Sequence, residues 1–190
     1  MRVILASKSP RRRELLSRII PNFEIIVSDA DETLPLGLSP SECAEVIATR
    51  KGAAVASEVG DDALVISSDT MVELGGVIFG KPTDREDAAR MLSLLSGRRH
   101  NVHTGVAVHY RGRVLSGVDT TRVEFRELSP ADVEWYISTG EPMDKAGAYG
   151  IQGLGGRFVA GYEGDFDTVV GLSLSLTERL AKEALKYDEK

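Results

Sequence analysis

The chain has 190 residues, 42% of them hydrophobic, and a formal net charge of −6 at pH 7. That size suits one globular domain, 1–190, or two small lobes around one cleft. The acidic balance argues against general binding to a nucleic-acid backbone, so positive potential must be local and a small anionic ligand fits better than a duplex. One cysteine, Cys43, excludes an internal disulfide and a cysteine-rich metal site, and it permits a reducing compartment. No segment approaches membrane-spanning length and no apolar leader precedes a cleavage site, so a cytoplasmic chain with no membrane partner is expected.

The chain opens on VILASKSPRRRELL, an apolar run Val3–Ala6 followed by small polar residues, Pro10, Arg11, Arg12 and Arg13. This pattern predicts a strand, a tight turn and a helix with Ser9 as N-cap and Pro10 in its first position. Free N–H groups at such a helix start favour an anion, and the arginines add forked donors. The corner lacks the Gly-rich Lys-Ser/Thr loop of P-loop enzymes. An arginine run on a solvated helix face is the plain alternative.

Phe23–Ser28 (FEIIVS) predicts a second strand, which runs into Asp29, Asp31 and Glu32. Ser39, Pro40 and Glu42 then form a capping-box pattern ahead of a helix that carries Lys51 late in its course. Ala63–Leu74 (ALVISSDTMVEL) predicts a long strand. Gly75-Gly76 is a hairpin signal, and Val77–Gly80 returns antiparallel. A second capping box, Thr83 with Glu86, opens a helix with an apolar stripe of Ala88, Met91, Leu92 and Leu95, stopped at Gly97.

Two further strands, 101–110 and 113–125, join around Arg111-Gly112. A short helix starts at Ser129-Pro130 and stops at Gly140. Five glycines (Gly147, Gly150, Gly153, Gly155, Gly156) crowd the next stretch. A strand in 157–164 and a helix over Leu174–Tyr187 close the chain. There is no internal repeat, low-complexity tract or linker. The expected class is α/β of the mixed α+β kind, with a mixed or mostly antiparallel sheet, because hairpin signals are frequent.

Asp69 sits between Ser68 and Thr70, after an apolar run. Strand alternation sends Asp69 and Thr70 to opposite faces unless the strand ends there. A carboxylate at a buried strand end needs a partner, a hydrogen bond or a metal, and turn capping is the alternative. Lys81, after the hairpin, is placed to return toward Asp69 and hold phosphate charge; a surface lysine is the alternative. In Asp144–Gly153 the glycines allow close backbone approach, and the Gln152 amide suits the edge of a base. Glu32 and Asp69 together offer oxygen ligands to a hard divalent cation, against the alternative of a solvated acidic loop. The histidines His100, His103 and His109 show no helical metal motif and are taken as strand residues.

Taken together, ASKSPRRRELL, SSDTMV, GKPTDREDAARMLSLLSG, VHTGVAV and DKAGAYGIQGLGG, in this order over nearly the whole chain, resemble the Maf family of nucleoside triphosphate pyrophosphatases, also called septum formation inhibitor proteins. The resemblance implies a fold related to the inosine triphosphate pyrophosphatases, with a long mixed sheet, flanking helices and two lobes around a central cleft. It implies a divalent metal cation, Mg²⁺ or Mn²⁺, and hydrolysis of a nucleoside triphosphate to monophosphate and pyrophosphate.

By the same resemblance Asp69 is the catalytic proton acceptor. Arg11, Thr70 and Gln152 fall on positions that set base specificity, in the pattern of the dTTP/UTP branch. Ser7, Arg12, Glu32, Lys51, Lys81 and Lys145 fall on polar positions lining the cleft. A homodimer is implied as well. The alternatives are a pyrophosphatase for 7-methyl-GTP or CTP, and a non-enzymatic nucleotide-binding regulator of septum formation. The charge of a triphosphate calls for the cations Arg12, Lys51 and Lys81, and a metal held partly by Glu32 and Asp69 can acidify a water.

Overall fold

The computed structural model describes residues 1–186. Strand β1 is Arg2–Leu5, and helix α1, Pro10–Ser17, starts as the sequence predicts: Ser9 caps it and Pro10 opens it. The second strand is shorter than expected. β2 covers only Glu24–Ile25, both exposed, pairing with Ile4 and Leu5 at the sheet edge, so little burial favours extending it. Helix α2, Pro40–Val59, has the full capping box between Ser39 and Glu42.

Strand β3, Ala63–Leu74, turns through Gly75-Gly76 into β4, Val77–Phe79. Helix α3, Arg85–Leu95, buries the predicted stripe Ala88, Met91, Leu92 and Leu95. Its cap is Asp84, not Thr83. The Asp84 carboxylate accepts from the Asp87 N–H at 2.7 Å, and Asp87 in turn accepts from the Thr83 N–H at 3.1 Å. Aspartate caps as well as threonine or better, and the carboxylate adds charge at a positive helix end.

β5, Arg99–Tyr110, and β6, Arg113–Phe125, join through the two-residue turn at Arg111-Gly112. Helix α4, Pro130–Ser138, is boxed by Ser129 and Asp132. The glycine-rich stretch folds into short 3-10 turns at Glu141–Asp144, Ala146–Ala148 and Leu154–Phe158. β7 is Val159–Glu163. Helix α5, Phe166–Val170, was not expected from the pattern; its local signal is Asp165, whose carboxylate accepts from the Asp167 N–H. Helix α6 is Leu174–Leu185, and the predicted last residue of that helix, Tyr187, lies outside the described residues.

The seven strands form one mixed sheet in the order β2-β1-β3-β5-β6-β7, with β4 on β3. β1 is parallel to β2 and β3, whereas β3–β4 and β6–β7 are antiparallel. The chain divides into two compact units. The first holds Met1–Thr70, Thr104–Asp119 and the chain from Gly171 onward; the second holds Met71–His103 and Thr120–Val170. In the first, Ile4, Ala63 and Val65 of the sheet, with Ala6 just past β1, pack under Val55 of α2. In the second, Phe125, Tyr136, Tyr149 and Phe158 form an aromatic core with Leu92 and Leu95 of α3.

His100 lies inside this second core. It is 2% exposed, its Nε2 is 2.8 Å from the Tyr149 hydroxyl, and its ring stands edge-on to Phe125. Burial pushes its pKa down from 6.5 to about 4, outweighing the Arg98 backbone contact and the Glu73 charge that favour protonation. The unfolded chain therefore takes up this proton first. The resulting stability is full above the ordinary histidine range and is lost as pH falls toward about 4. The expected loss from this one group between pH 7 and pH 4 is about 3 kcal/mol. Ring-proton NMR should show His100 neutral down to pH 5. A midpoint above 6 would contradict the assigned burial effect.

Candidate active site

Within the first unit, the loop after β1 and the first turn of α1 form the predicted anion corner. Ser9 accepts from the Arg12 N–H, and the Ser7 hydroxyl accepts from the Ser9 N–H at 3.2 Å. Arg12 is then fixed by its whole fork. Its Nε donates to the Gly171 carbonyl at 2.8 Å, Nη2 to Thr70 Oγ1 at 3.2 Å and Nη1 to Ser7 Oγ at 3.5 Å. Burial lowers the Arg12 pKa; the negative charges of Asp69 and Glu32 oppose that, and Arg11 beside it adds to it. The guanidinium stays charged, since arginine is not deprotonated in proteins.

Alternation along β3 explains how four successive polar residues serve two purposes. Ser67 and Asp69 face α2: Ser67 Oγ donates to the Ala48 carbonyl at 2.7 Å, and Asp69 accepts from Lys51 Nζ at 2.6 Å. Ser68 and Thr70 face the other way, to the Gly171 carbonyl, at 3.0 and 3.5 Å. Thr70 Oγ1 also lies 3.0 Å from Thr104 Oγ1 of β5. Strand β3 continues four residues past Thr70, so Asp69 is a mid-strand carboxylate and not a turn cap.

Gly171 is thus the hub of this network, accepting from Arg12, Ser68 and Thr70. Its φ of +130° lies where side-chain-bearing residues are strained, although a Cβ there would meet Arg12 and Thr70 only at 3.5 Å. Backbone conformation, more than space, requires glycine at this position.

Lys51 Nζ bridges two carboxylates, Asp69 at 2.6 Å and Glu32 at 3.1 Å. The Lys51 and Asp69 side chains are only 12% and 13% exposed, whereas that of Glu32 is 60% exposed. The structure therefore groups Ser7, Arg12 and Thr70 in one network and Glu32, Lys51 and Asp69 in another. Arg11 is half-buried on the first turn of α1. Sequence reasoning missed Ser68, Thr104 and Gly171. Ser68 and Thr104 stood inside quoted motifs, but nothing in the sequence signals that the Gly171 carbonyl is an acceptor.

Within the second unit, β4 pairs back on β3 as far as Phe79 with Val72, and Lys81 follows two residues later, exposed. Gln152 is exposed on the loop between Tyr149 and Phe158. Lys145 Nζ donates to the Glu141 carbonyl at 2.7 Å and to the Asp144 carboxylate at 2.6 Å.

The donor chemistry of Glu32 and Asp69 fits a small hard divalent cation, which usually takes one or two carboxylates and fills its other positions with water and phosphate oxygens. Among the described residues no group of three or more His, Cys, Asp or Glu side chains could hold a metal ion, so a cation here would share its ligands with a phosphate.

A solved Ham1 protein from Staphylococcus aureus superposes with a TM-score of 0.53, covering all of both chains at 19% identity, a likeness of fold alone. The model of the Maf-like protein family matches residues 2–184, and the chain belongs to that family. It is 50% identical over 182 residues to a dTTP/UTP pyrophosphatase of Bacillus velezensis, covering 96% of each chain. It is also 50% identical to one from Thermococcus kodakarensis, covering 94% of each chain. A Vibrio cholerae relative of the same name is 48% identical, with 94% of this chain and 96% of that one covered.

Proposed function

We propose that this chain hydrolyses dTTP and UTP to the monophosphate and pyrophosphate, with Mg²⁺ or Mn²⁺. The observation that carries the reading is Asp69, held by Lys51 at 2.6 Å on the strand whose next residue, Thr70, accepts from Arg12. A pure binding protein has no need of a fixed carboxylate beside a fixed guanidinium. The names of relatives half identical over nearly their whole length point to the same substrates.

In this reading a water attacks the α-phosphorus, Asp69 accepts its proton, and the bond to the bridging oxygen breaks with pyrophosphate leaving. Arg12 and the N–H groups at the start of α1 take the negative charge of the triphosphate, and Lys51 keeps Asp69 and Glu32 in place. Lys81 and Lys145 belong to the phosphate-binding set, and Ser7 to the corner that seats it. Arg11, Thr70 and Gln152 belong to base selection, in which Gln152 pairs with a pyrimidine edge and an unpaired amide rejects the wrong base. A divalent cation held by Glu32 and Asp69 supplies charge neutralisation and acidifies a water when bound.

Release of pyrophosphate from dTTP, UTP, CTP, GTP and 7-methyl-GTP, each with Mg²⁺ and Mn²⁺, tests the reading. Metal-dependent cleavage favouring dTTP and UTP is expected. Preference for CTP or 7-methyl-GTP would move the substrate. No turnover by folded protein would leave a nucleotide-binding regulator of septum formation as the better account. The family resemblance also suggests a cytoplasmic homodimer, which light scattering on the eluted protein checks. Among the described residues no helix is long and apolar enough to cross a membrane.

A further inference from the structure

The glycine-rich loop is wound around a carboxylate that the reading above leaves without a role. Glu141, at the start of the first 3-10 turn, accepts three hydrogen bonds. Tyr136 Oη donates to Oε1 at 2.9 Å, the Gly155 N–H to Oε1 at 3.2 Å and the Leu154 N–H to Oε2 at 2.9 Å. The Gly150 N–H donates to the same Tyr136 oxygen at 3.2 Å. One carboxylate and one phenol thus bind both limbs of the loop that carries Gln152.

The closeness of the winding shows in what its glycines exclude. A Cβ at Gly153 would lie 2.4 Å from Glu141 Oε1, one at Gly155 2.6 Å from the Tyr136 hydroxyl, and one at Gly150 2.7 Å from Lys145 Cε. At Gly153 and Gly155 the chain passes hard against the hydrogen-bonded Glu141 carboxylate and Tyr136 hydroxyl, whereas at Gly150 it meets the flexible Lys145 stem. The loop ends are fixed as well: Tyr149 and Phe158 are buried in the aromatic core, and Tyr136 stands edge-on to Phe158 at 5.0 Å. Between these anchors Gln152, Gly153 and Leu154 are exposed.

We propose that Glu141 is a specificity-positioning residue: it holds the 150–156 loop in the one shape that presents Gln152 to the nucleotide base. The proposal rests on the pyrimidine-triphosphatase reading and adds to it the group that fixes the selecting loop. Burial opposes charge on Glu141, but the Leu154 and Gly155 N–H groups, Tyr136 and Lys145 outweigh it and keep the carboxyl below its usual range. The carboxylate is acceptor-only, as three converging donors require. Glu141→Gln keeps the shape but turns an NH₂ toward one of the donor N–H groups, so the loop must shift.

The test measures kcat and KM for dTTP, UTP, CTP and GTP in wild type, Glu141→Gln, Tyr136→Phe, Gln152→Ala and the Glu141→Gln/Gln152→Ala double variant, with thermal melts beside them. Glu141→Gln should lower the dTTP-to-GTP ratio of kcat/KM at least tenfold, the greater part through KM. Tyr136→Phe should shift the ratio the same way by less. The double variant should be no less selective than Gln152→Ala alone. A Glu141→Gln protein that melts lower and loses activity equally toward all four nucleotides has lost only structure, and that result overturns the proposal. Additive losses in the double variant overturn it too. If Gln152→Ala keeps its ratio while Glu141→Gln changes it, the loop selects the base and Gln152 is not its reader. Failure of the wild type to cleave dTTP or UTP would instead remove the functional reading itself.

Discussion

Asp69→Asn should lower kcat for dTTP by about 10³-fold or more, since a positioned general base and the charge it carries are lost together. The substitution is close to isosteric, and the asparagine carbonyl can still accept from Lys51, now at 2.6 Å from Asp69. Lys51 also keeps Glu32 at 3.1 Å, so no ammonium is left alone in a largely buried place. Removing one partner of a buried pair outright can cost about 3–5 kcal/mol, and these two retained contacts are the reason to expect far less here. Single-turnover kinetics alongside a thermal melt separates the effects. Collapse of the rate with a melt within a few degrees of wild type is expected. A nearly normal rate in a folded variant would take Asp69 out of the proton transfer.

Arg12→Lys should be the next most damaging change, although it keeps the charge. Arginine reaches Gly171, Thr70 and Ser7 at once through three separate nitrogens. A lysine ammonium is one point on a flexible stem and cannot span that arrangement. Thr70 and Gly171 then lose a donor in a confined place, and the fork that would meet a phosphate loses its fixed plane. A fall of about 10²-fold in kcat/KM is expected, the scale of removing one preorganised charge-stabilising donor. Steady-state kinetics at low and high salt checks it. A loss that appears only at high salt would mean that charge, and not the fork, is what the corner supplies.

The elements most legible in the sequence are those whose signals are local. Ser39 with Glu42, Ser129 with Pro130, the stripe Ala88, Met91, Leu92 and Leu95, and the run Ala63–Leu74 each announce an element by capping or periodicity, and each is found where expected. The errors fall where the deciding partner is tertiary or competes locally. β2 shrinks because its residues find no core to enter, and Asp84 takes the cap from its neighbour Thr83.

The site follows the same rule. Motif residues such as Arg12, Lys51 and Asp69 could be named from the chain, but the pairing of Lys51 with Asp69 depends on α2 packing over the sheet. Gly171 and Glu141 could not be named. One acts through a carbonyl, which every residue possesses. The other acts on a loop it only meets once the chain is folded.

The two-sided use of Ser67 to Thr70 makes β3 sensitive to its own length. Substitution at any one of the four alters only the bonds of that side chain and leaves the other three facing as before. Removing or adding a single residue upstream within β3 would exchange the faces wholesale, offering hydroxyls to Lys51 and a carboxylate to the Gly171 carbonyl. Two acceptors would then face each other where a donor now stands, and Lys51 would keep only the exposed Glu32 of its two carboxylates. A library that varies β3 by substitution alone should therefore yield folded members where one built on single-residue deletions within β3 yields almost none.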